Sequence, residues 1–360
     1  MAFPGAPQLI FGCGGLGNEF VGEDSVTELL QTLKQFGVSR LDTATLYPPT
    51  DIGASQRLLG RTGAARLGFT IDTKVLVSLS GLKGTLEPEK IDKYVAESNE
   101  VLRFEDGQRI NVLHAHAPDV VTPLEEQAAG FDKQYKKGLF DKVNTSIFSR
   151  EKYSGGESET DHELQLGLSN FPLDMLSEFI DICDREGYVK PAVYQGLYKI
   201  IDRRHEGPLL DFVHKQGMQF VAHSPLASGF LHGRLTTGDV EGTRFAEGNI
   251  MSMDARRYDT DKHHDIIRSL DKVLEPHGIT KTDAALRWLA YHSQLTPQDG
   301  IIFGSSKLAQ AKQNVAAIGE GPLPADVLVA LDSACDTMAS HRTGSYSEEN
   351  MNSWRTMTAS

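Results

Sequence analysis

Eight times along this chain a short strand-like run gives way to a stretch with helical spacing, and several of these runs stop on polar or titratable residues. The runs are residues 8–11, 39–41, 69–75, 110–116, 164–168, 192–195, 218–222 and 300–303. Each is short enough to be a strand. Strands joined by helical crossovers of one hand build a parallel sheet with helices packed on it. Eight such units are the number that closes on itself, so the pattern predicts a (β/α)8 TIM barrel. A doubly wound open sheet is the alternative that the same alternation allows. In a barrel the ends of all eight strands meet at one rim, and that is where these runs place their polar residues.

The helical stretches are punctuated as helices should be. Residues 25–36 put Val26, Leu29, Leu30 and Leu33 on one face, and Gly37 ends the pattern. Pro88 opens an amphipathic stretch over 88–104, where a proline at the first turn costs no hydrogen bond. Further helices are read at 52–59, 123–135, 172–186, 209–215, 262–275, 280–293 and 307–318. The stretch 231–261 reads as irregular. Residues 1–340 are taken as one domain with extended loops, and 341–360 as a C-terminal tail.

Composition narrows the function. The 360 residues carry a formal charge of -13, which argues against binding a nucleic-acid backbone. A local basic pocket remains compatible with that total. Cys13, Cys183 and Cys335 are far apart, with no spacing for a zinc site or a disulfide framework. No apolar run approaches the roughly 20 residues of a membrane span, and the first residues lack a signal-peptide pattern. A cytoplasmic protein acting on small molecules is expected, without metal or membrane partner; a homo-oligomer is left open.

One motif points elsewhere. Gly12-Cys-Gly14-Gly15-Leu-Gly17 matches the glycine fingerprint of a dinucleotide-binding turn, and Asp42 lies downstream as a ribose-binding acid would. The third glycine of that fingerprint should open a helix, yet residues 18–23 are polar and loop-like. The segment is therefore read as a glycine-rich turn at the mouth of the first strand.

Asp42, Tyr47, Lys74 and His116 carry more chemistry. In an eight-stranded barrel all four lie on one rim. A tyrosine hydroxyl is a weak acid, with an unperturbed pKa of about 10. A neighbouring ammonium favours its phenolate and lowers that value. Lys74 is placed to supply the charge, Asp42 to hold Lys74, and His116 to donate a hydrogen bond to a carbonyl oxygen. Such a set protonates an oxyanion as it forms, which carbonyl reduction requires. Singly, an Asp–Lys pair is more often structural, a tyrosine a packing residue and a histidine a satisfied polar group. Jointly, all at strand ends, they favour a site.

The same residues resemble a known family. Leu41-Asp-Thr-Ala-Thr-Leu-Tyr47, Asp72-Thr-Lys74, His116-Ala-Pro-Asp119 and Gly167-Leu-Ser-Asn-Phe171 resemble the aldo-keto reductase superfamily. His116-Ala-Pro-Asp119 followed by Thr122-Pro-Leu-Glu-Glu126 is similar to its aflatoxin-aldehyde-reductase-like branch. The likeness runs from about residue 8 to 331.

The resemblance implies NADPH-dependent reduction of an aldehyde or ketone, with Tyr47 as general acid, Lys74 and Asp42 tuning it, and His116 orienting the carbonyl. It picks His116 over His114, which faces the same side of its strand. Ser169, Asn170 and Gln195 match the positions that hold the nicotinamide carboxamide. Ser224, Pro225, Leu226, Ser228 and Arg234 match the pyrophosphate loop, and Arg244 a basic residue of the loop that closes over the cofactor. Gly304, Ser305, Ser306, Lys307, Gln310 and Asn314 match the adenosine end. His223 stands where relatives stack an aromatic ring under the nicotinamide. Gln310 stands where many have an arginine for the 2′-phosphate, leaving Lys307 with Arg234 or Arg244 to supply charge.

Two other readings use the same scaffold. One is a cofactor-binding regulatory subunit resembling the potassium-channel β subunits, which lack the catalytic histidine that His116 supplies here. The other is a biosynthetic-pathway barrel performing a non-reductive step such as dehydration. The substrate pocket falls to 47–50, 116–120, 150–160 and the tail, the loops that vary most on such scaffolds.

Overall fold

The structure, a computed structural model, describes residues 3–75, 84–105, 107–139, 165–248 and 258–339. Eight parallel strands follow one another around a closed barrel. They are β1 (Gln8–Gly12), β2 (Arg40–Asp42), β3 (Thr70–Val75), β4 (Val112–Ala115), β5 (Gln165–Ser169), β6 (Pro191–Leu197), β7 (Gln219–His223) and β8 (Gly300–Phe303). β8 returns to pair with β1, which closes the sheet and rules out the open alternative.

The helices that wrap the barrel follow the sequence pattern. They are α1 (Gly22–Gln35), α2 (Ala54–Arg61), α3 (Pro88–Leu102), α4 (Leu124–Gln134), α5 (Leu173–Glu186), α6 (Pro208–Lys215), α7 (Arg234–Thr237), α8 (Asp261–Leu274), α9 (Lys281–Tyr291), α10 (Leu308–Gly319) and α11 (Ala325–Ala339). Two were not anticipated. α7 is a single turn inside the stretch read as irregular. α11 closes the described chain, and Val327, Leu331, Ala334, Cys335 and Met338 form its buried stripe. That spacing is legible as one helix face. The loop at 150–160 and the tail at 341–360 lie outside the described residues.

Alternation along each strand divides the core in two. Outward side chains such as Phe11, Leu41, Ile71, Leu113, Leu168, Phe220 and Phe303 join the helices in one large apolar cluster. Inward side chains Ile10, Val112, Val193, Val221 and Ile302 form a separate, small apolar layer inside the barrel. Many of the other inward side chains are polar or charged. Near the strand starts, Arg40 Nε donates to Asp72 Oδ2 (2.8 Å), and Arg40 Nη1 donates to Gln8 Oε1 (3.0 Å) and Gln219 Oε1 (2.9 Å). Asn111 Nδ2 donates to the other Asp72 oxygen (2.6 Å). Register sets the rest: Asp42 lies beside Asp72, Lys74 beside His114, and His114 beside Gly167.

The glycine-rich segment after β1 forms a short 3-10 turn, Cys13–Gly15, and no helix starts at Gly17. The turn reading holds, and the dinucleotide fingerprint is a coincidence of spacing. All three cysteines are buried, and none forms a disulfide among the described residues. No described helix is long and apolar enough to cross a membrane.

One close approach gives a direct test of the helix layer. A Cβ on Gly60 of α2 would run into the Val101 carbonyl oxygen of α3. Glycine-to-alanine in a helix interior ordinarily stabilises by roughly 0.5–1 kcal/mol. Here the obstacle is backbone, so Gly60→Ala is expected to destabilise by about 1–3 kcal/mol. Urea unfolding measures this, and a stabilised variant would mean that α2 and α3 stand further apart.

Candidate active site

The site lies where β2, β3 and β4 end. Asp42 is the last residue of β2 and points inward, as does Lys74 near the end of β3. Lys74 is fully buried and Asp42 nearly so. Lys74 Nζ donates to Asp42 Oδ1 (2.7 Å) and Oδ2 (2.6 Å), and also to the Thr43 carbonyl oxygen (2.9 Å). Gln195, from β6, donates its Nε2 to Asp42 Oδ1 (2.9 Å). Tyr47 sits on the turn just beyond, half-buried, and its Oη lies 3.3 Å from His116 Nε2. The two rings meet edge to face at 5.4 Å. Lys74 Nζ stands 5.2 Å from the centre of the Tyr47 ring. The four residues named from the sequence thus form one contiguous group.

Burial dominates the electrostatics, and its sign differs between the members. It works against the Lys74 ammonium, but the Asp42 carboxylate, and Tyr47 behind it, outweigh it and hold the pKa above the usual lysine value. Burial pushes the Tyr47 hydroxyl up, and the Lys74 charge pulls only part of the way back. The sequence led to the expectation that Lys74 would leave Tyr47 lowered. In the structure desolvation of the phenolate is the larger effect, so that expectation is corrected for the resting state. Burial, with Lys74 and then His223 nearby, holds His116 well below the usual histidine value, so this imidazole is neutral at pH 7.

His114, one layer deeper, is fully buried and likewise held neutral by burial and by the charges of Lys74 and Arg40. Asp42, Asp72 and His114 each bring a ligand-type atom within 4.8 Å of the other two. Spacing alone would let them chelate a cation. Every carboxylate oxygen already has a nitrogen donor, from Lys74, Gln195, Arg40 or Asn111. Lysine and arginine supply the positive charge, so the donor chemistry does not fit a resident metal.

From this centre the expected cofactor residues run round the rim. Ser169 closes β5, and Asn170 follows in a left-handed conformation at φ 61°. Asn170 Nδ2 donates to Ser169 Oγ (3.0 Å), and its Oδ1 lies 3.1 Å from His223 Nε2. His223 Nδ1 is 3.1 Å from Ser224 Oγ. After β7 the chain turns through Ser224, Pro225, Leu226, Ala227 and Ser228, with positive φ at both serines and Ala227. Arg234 is held by Asp239 through Nε and Nη2, both at 2.9 Å. Arg244 is exposed, and its charge is felt at Glu19 and at Tyr47.

After β8, Gly304, Ser306 and Lys307 are exposed at the start of α10. Gln310 Oε1 accepts from Ser306 N (3.0 Å) and Oγ (2.9 Å), and Asn314 Nδ2 donates to the Gly304 carbonyl (3.1 Å). Ser305 Oγ is buried with no hydrogen-bond partner among the described residues. A helix start beside an exposed lysine fits an anionic group.

The family model described as Aldo/keto reductase family matches residues 8–155 and 164–336.

The chain belongs to the aldo/keto reductase family. Among its relatives, "Aflatoxin B1 aldehyde reductase member 2" of Mus musculus is 30% identical over 93% of this chain and 86% of that protein. "Aldo-keto reductase family 7 member A3" of Homo sapiens is 30% identical over 91% and 93%. "Oxidoreductase sirO" of Leptosphaeria maculans is 27% identical over 93% and 95%. The protein is an oxidoreductase of this family, on the TIM barrel that the strand pattern implies.

Sequence reasoning missed the lower tier, Arg40, Asp72 and Asn111, and the role of the Thr43 carbonyl as a third anchor for Lys74. A signal was present. Arg40 and Asp42, and Asp72 and Lys74, are two apart in buried strands, so each pair faces the barrel interior.

The buried ion pair makes a prediction. Lys74→Met leaves Asp42 without a counter-charge, and breaking such a pair costs about 3–5 kcal/mol. Asp42→Asn combined with Lys74→Met is expected to recover part of that loss, because no bare charge remains. Denaturant unfolding of the two variants checks this; equal stabilities would mean that the unpaired Asp42 charge carries no cost.

Proposed function

We propose that this aldo-keto reductase reduces a small aldehyde or ketone to the alcohol, using NADPH as hydride donor and Tyr47 as proton donor. The observation that carries the reading is the Tyr47 hydroxyl beside the neutral His116 ring, above the Lys74–Asp42 pair. A reduced nicotinamide, when bound, supplies the hydride to the carbonyl carbon. As that C–H bond forms, the π pair moves onto the carbonyl oxygen and the Tyr47 O–H bond breaks to protonate it. His116, being neutral, offers an N–H that points the carbonyl at Tyr47 without adding charge. Lys74 stands ready to offset the tyrosinate left behind.

The cofactor assignment rests on Ser169, Asn170, Gln195 and His223 at the nicotinamide end, and on Ser224, Pro225, Leu226, Ser228, Arg234 and Arg244 along the pyrophosphate. Gly304, Ser306, Lys307, Gln310 and Asn314 would take the adenosine end. The exposed Lys307 supports NADPH over NADH, since it would pair with a 2′-phosphate. Gln195 is already bound to Asp42, so its amide would reach the nicotinamide only while keeping or exchanging that bond. The relatives' names support an aldehyde as the class of substrate. His116 favours the reductase over a purely regulatory subunit.

Two experiments test the proposal. Tyr47→Phe keeps the ring and deletes one oxygen, so turnover of NADPH with a carbonyl panel should fall by about 10² to 10⁴. Fluorescence titration should find its NADPH affinity close to wild type. Near-normal turnover would remove Tyr47 from the chemistry, and a wild type that binds cofactor without turnover would favour the regulatory reading. Titration of the wild type with both cofactors should give tighter binding for NADPH than NADH, and equal affinities would remove the 2′-phosphate assignment.

A further inference from the structure

His114 is the unexplained group in the barrel. It is fully buried, and neither ring nitrogen has a hydrogen-bond partner among the described residues. Buried polar atoms are nearly always paired, and an unpaired one is costly. A phenyl ring at this position would bury no unpaired nitrogen. The ring stands against Gly167 on β5, where a Cβ would run into it. A nitrogen of the ring lies within 4.8 Å of carboxylate oxygens of both Asp42 and Asp72.

Lys74 shows what such a group is needed for. An ammonium has three N–H donors. All three are committed, to Asp42 Oδ1, Asp42 Oδ2 and the Thr43 carbonyl. Stabilising a tyrosinate at Tyr47 by a hydrogen bond therefore requires Lys74 to release one of them. If it releases Asp42 Oδ1, Gln195 still holds that oxygen. If it releases Asp42 Oδ2, that oxygen has no other donor among the described residues. Asp72 makes no such demand, because Arg40 and Asn111 hold both its oxygens throughout.

We propose that His114 is a positioning residue for the proton transfer assigned above to Tyr47: its N–H is the reserve donor that takes up Asp42 as the Lys74 ammonium turns from that carboxylate to the Tyr47 oxygen. The inference rests on the reading of Tyr47 as the proton donor. The charged and titratable groups facing His114 are Arg40 and Asp42 from β2, Asp72 and Lys74 from β3, and His116 just beyond its own strand. Gly167 on β5 brings none. Those acting on Tyr47 are Lys74, Asp42, Arg244 and Cys13. His114 thus borders the Lys74–Asp42 pair that acts on Tyr47. A neutral ring is required, since an imidazolium would compete with Lys74 for Asp42.

An ultraviolet difference titration of the tyrosinate, wild type minus Tyr47→Phe, reads this link without any turnover. His114→Phe removes two unpaired nitrogens, so its melting temperature should equal or exceed wild type. Its Tyr47 midpoint should nevertheless rise by about one unit, the scale of one hydrogen bond to a charged group. With a carbonyl substrate, kcat at neutral pH should fall about tenfold with KM little changed, and the pH profile should move with the titration. His114→Leu serves if the phenyl ring does not fit. His114→Gln or His114→Asn restores an N–H, and at least one should bring the midpoint back toward wild type. A folded His114→Phe or His114→Leu that titrates as wild type overturns the proposal. A shift that neither amide reverses also overturns it, since the ring would then act only by filling space. A wild type that reduces no carbonyl while its Tyr47 midpoint still follows His114 sinks the proposed reaction and leaves the link between the two residues standing.

Discussion

The Lys74–Asp42 pair is the interaction on which the arrangement of the site depends. Two full charges are buried near the top of the barrel, where desolvation alone costs several kcal/mol per ion. They are tolerable because every donor of Lys74 and both oxygens of Asp42 are matched. That matching needs three strands and the turn after β2 at fixed spacing. The barrel supplies the spacing, and the pair in turn fixes where Tyr47 and His116 stand.

The barrel interior is organised around charge more than around volume. A small apolar layer of Ile10, Val112, Val193, Val221 and Ile302 is accompanied by two ion pairs, Arg40–Asp72 below and Lys74–Asp42 above. Hydrophobic stabilisation comes chiefly from the outer cluster between strands and helices. This separation leaves the inward positions free to hold ionisable groups, and it keeps the cost of those groups away from the contacts that hold the fold together.

The resting site is also held below its full acidity. Burial raises Tyr47, and Lys74 offsets this only in part while its own donors face Asp42. A general acid needs a pKa near the operating pH. In the proposed reaction that change would come from a rearrangement of hydrogen bonds around Asp42, where Gln195 and His114 are the neighbours not themselves charged.

Much of this was legible in the chain. The eight strand-and-helix units are set by local periodicity, and their number favoured the barrel; the pairing of β8 with β1 excluded the open sheet. The gathering of Asp42, Tyr47, Lys74 and His116 followed too, because strand ends in a barrel share a rim. Helix α11 carried a readable stripe. What the sequence could not set was the balance of burial against charge at Tyr47, since the depth of a group is not a local property. Nor could it reveal that His114 lacks a hydrogen-bond partner among the described residues, or that Gln195 is bound to Asp42 from 153 positions away. Periodicity determines which face of a strand a residue takes. Only closure of the barrel decides which inward residues from different strands meet, how far from water they lie, and which of their donors go unmatched.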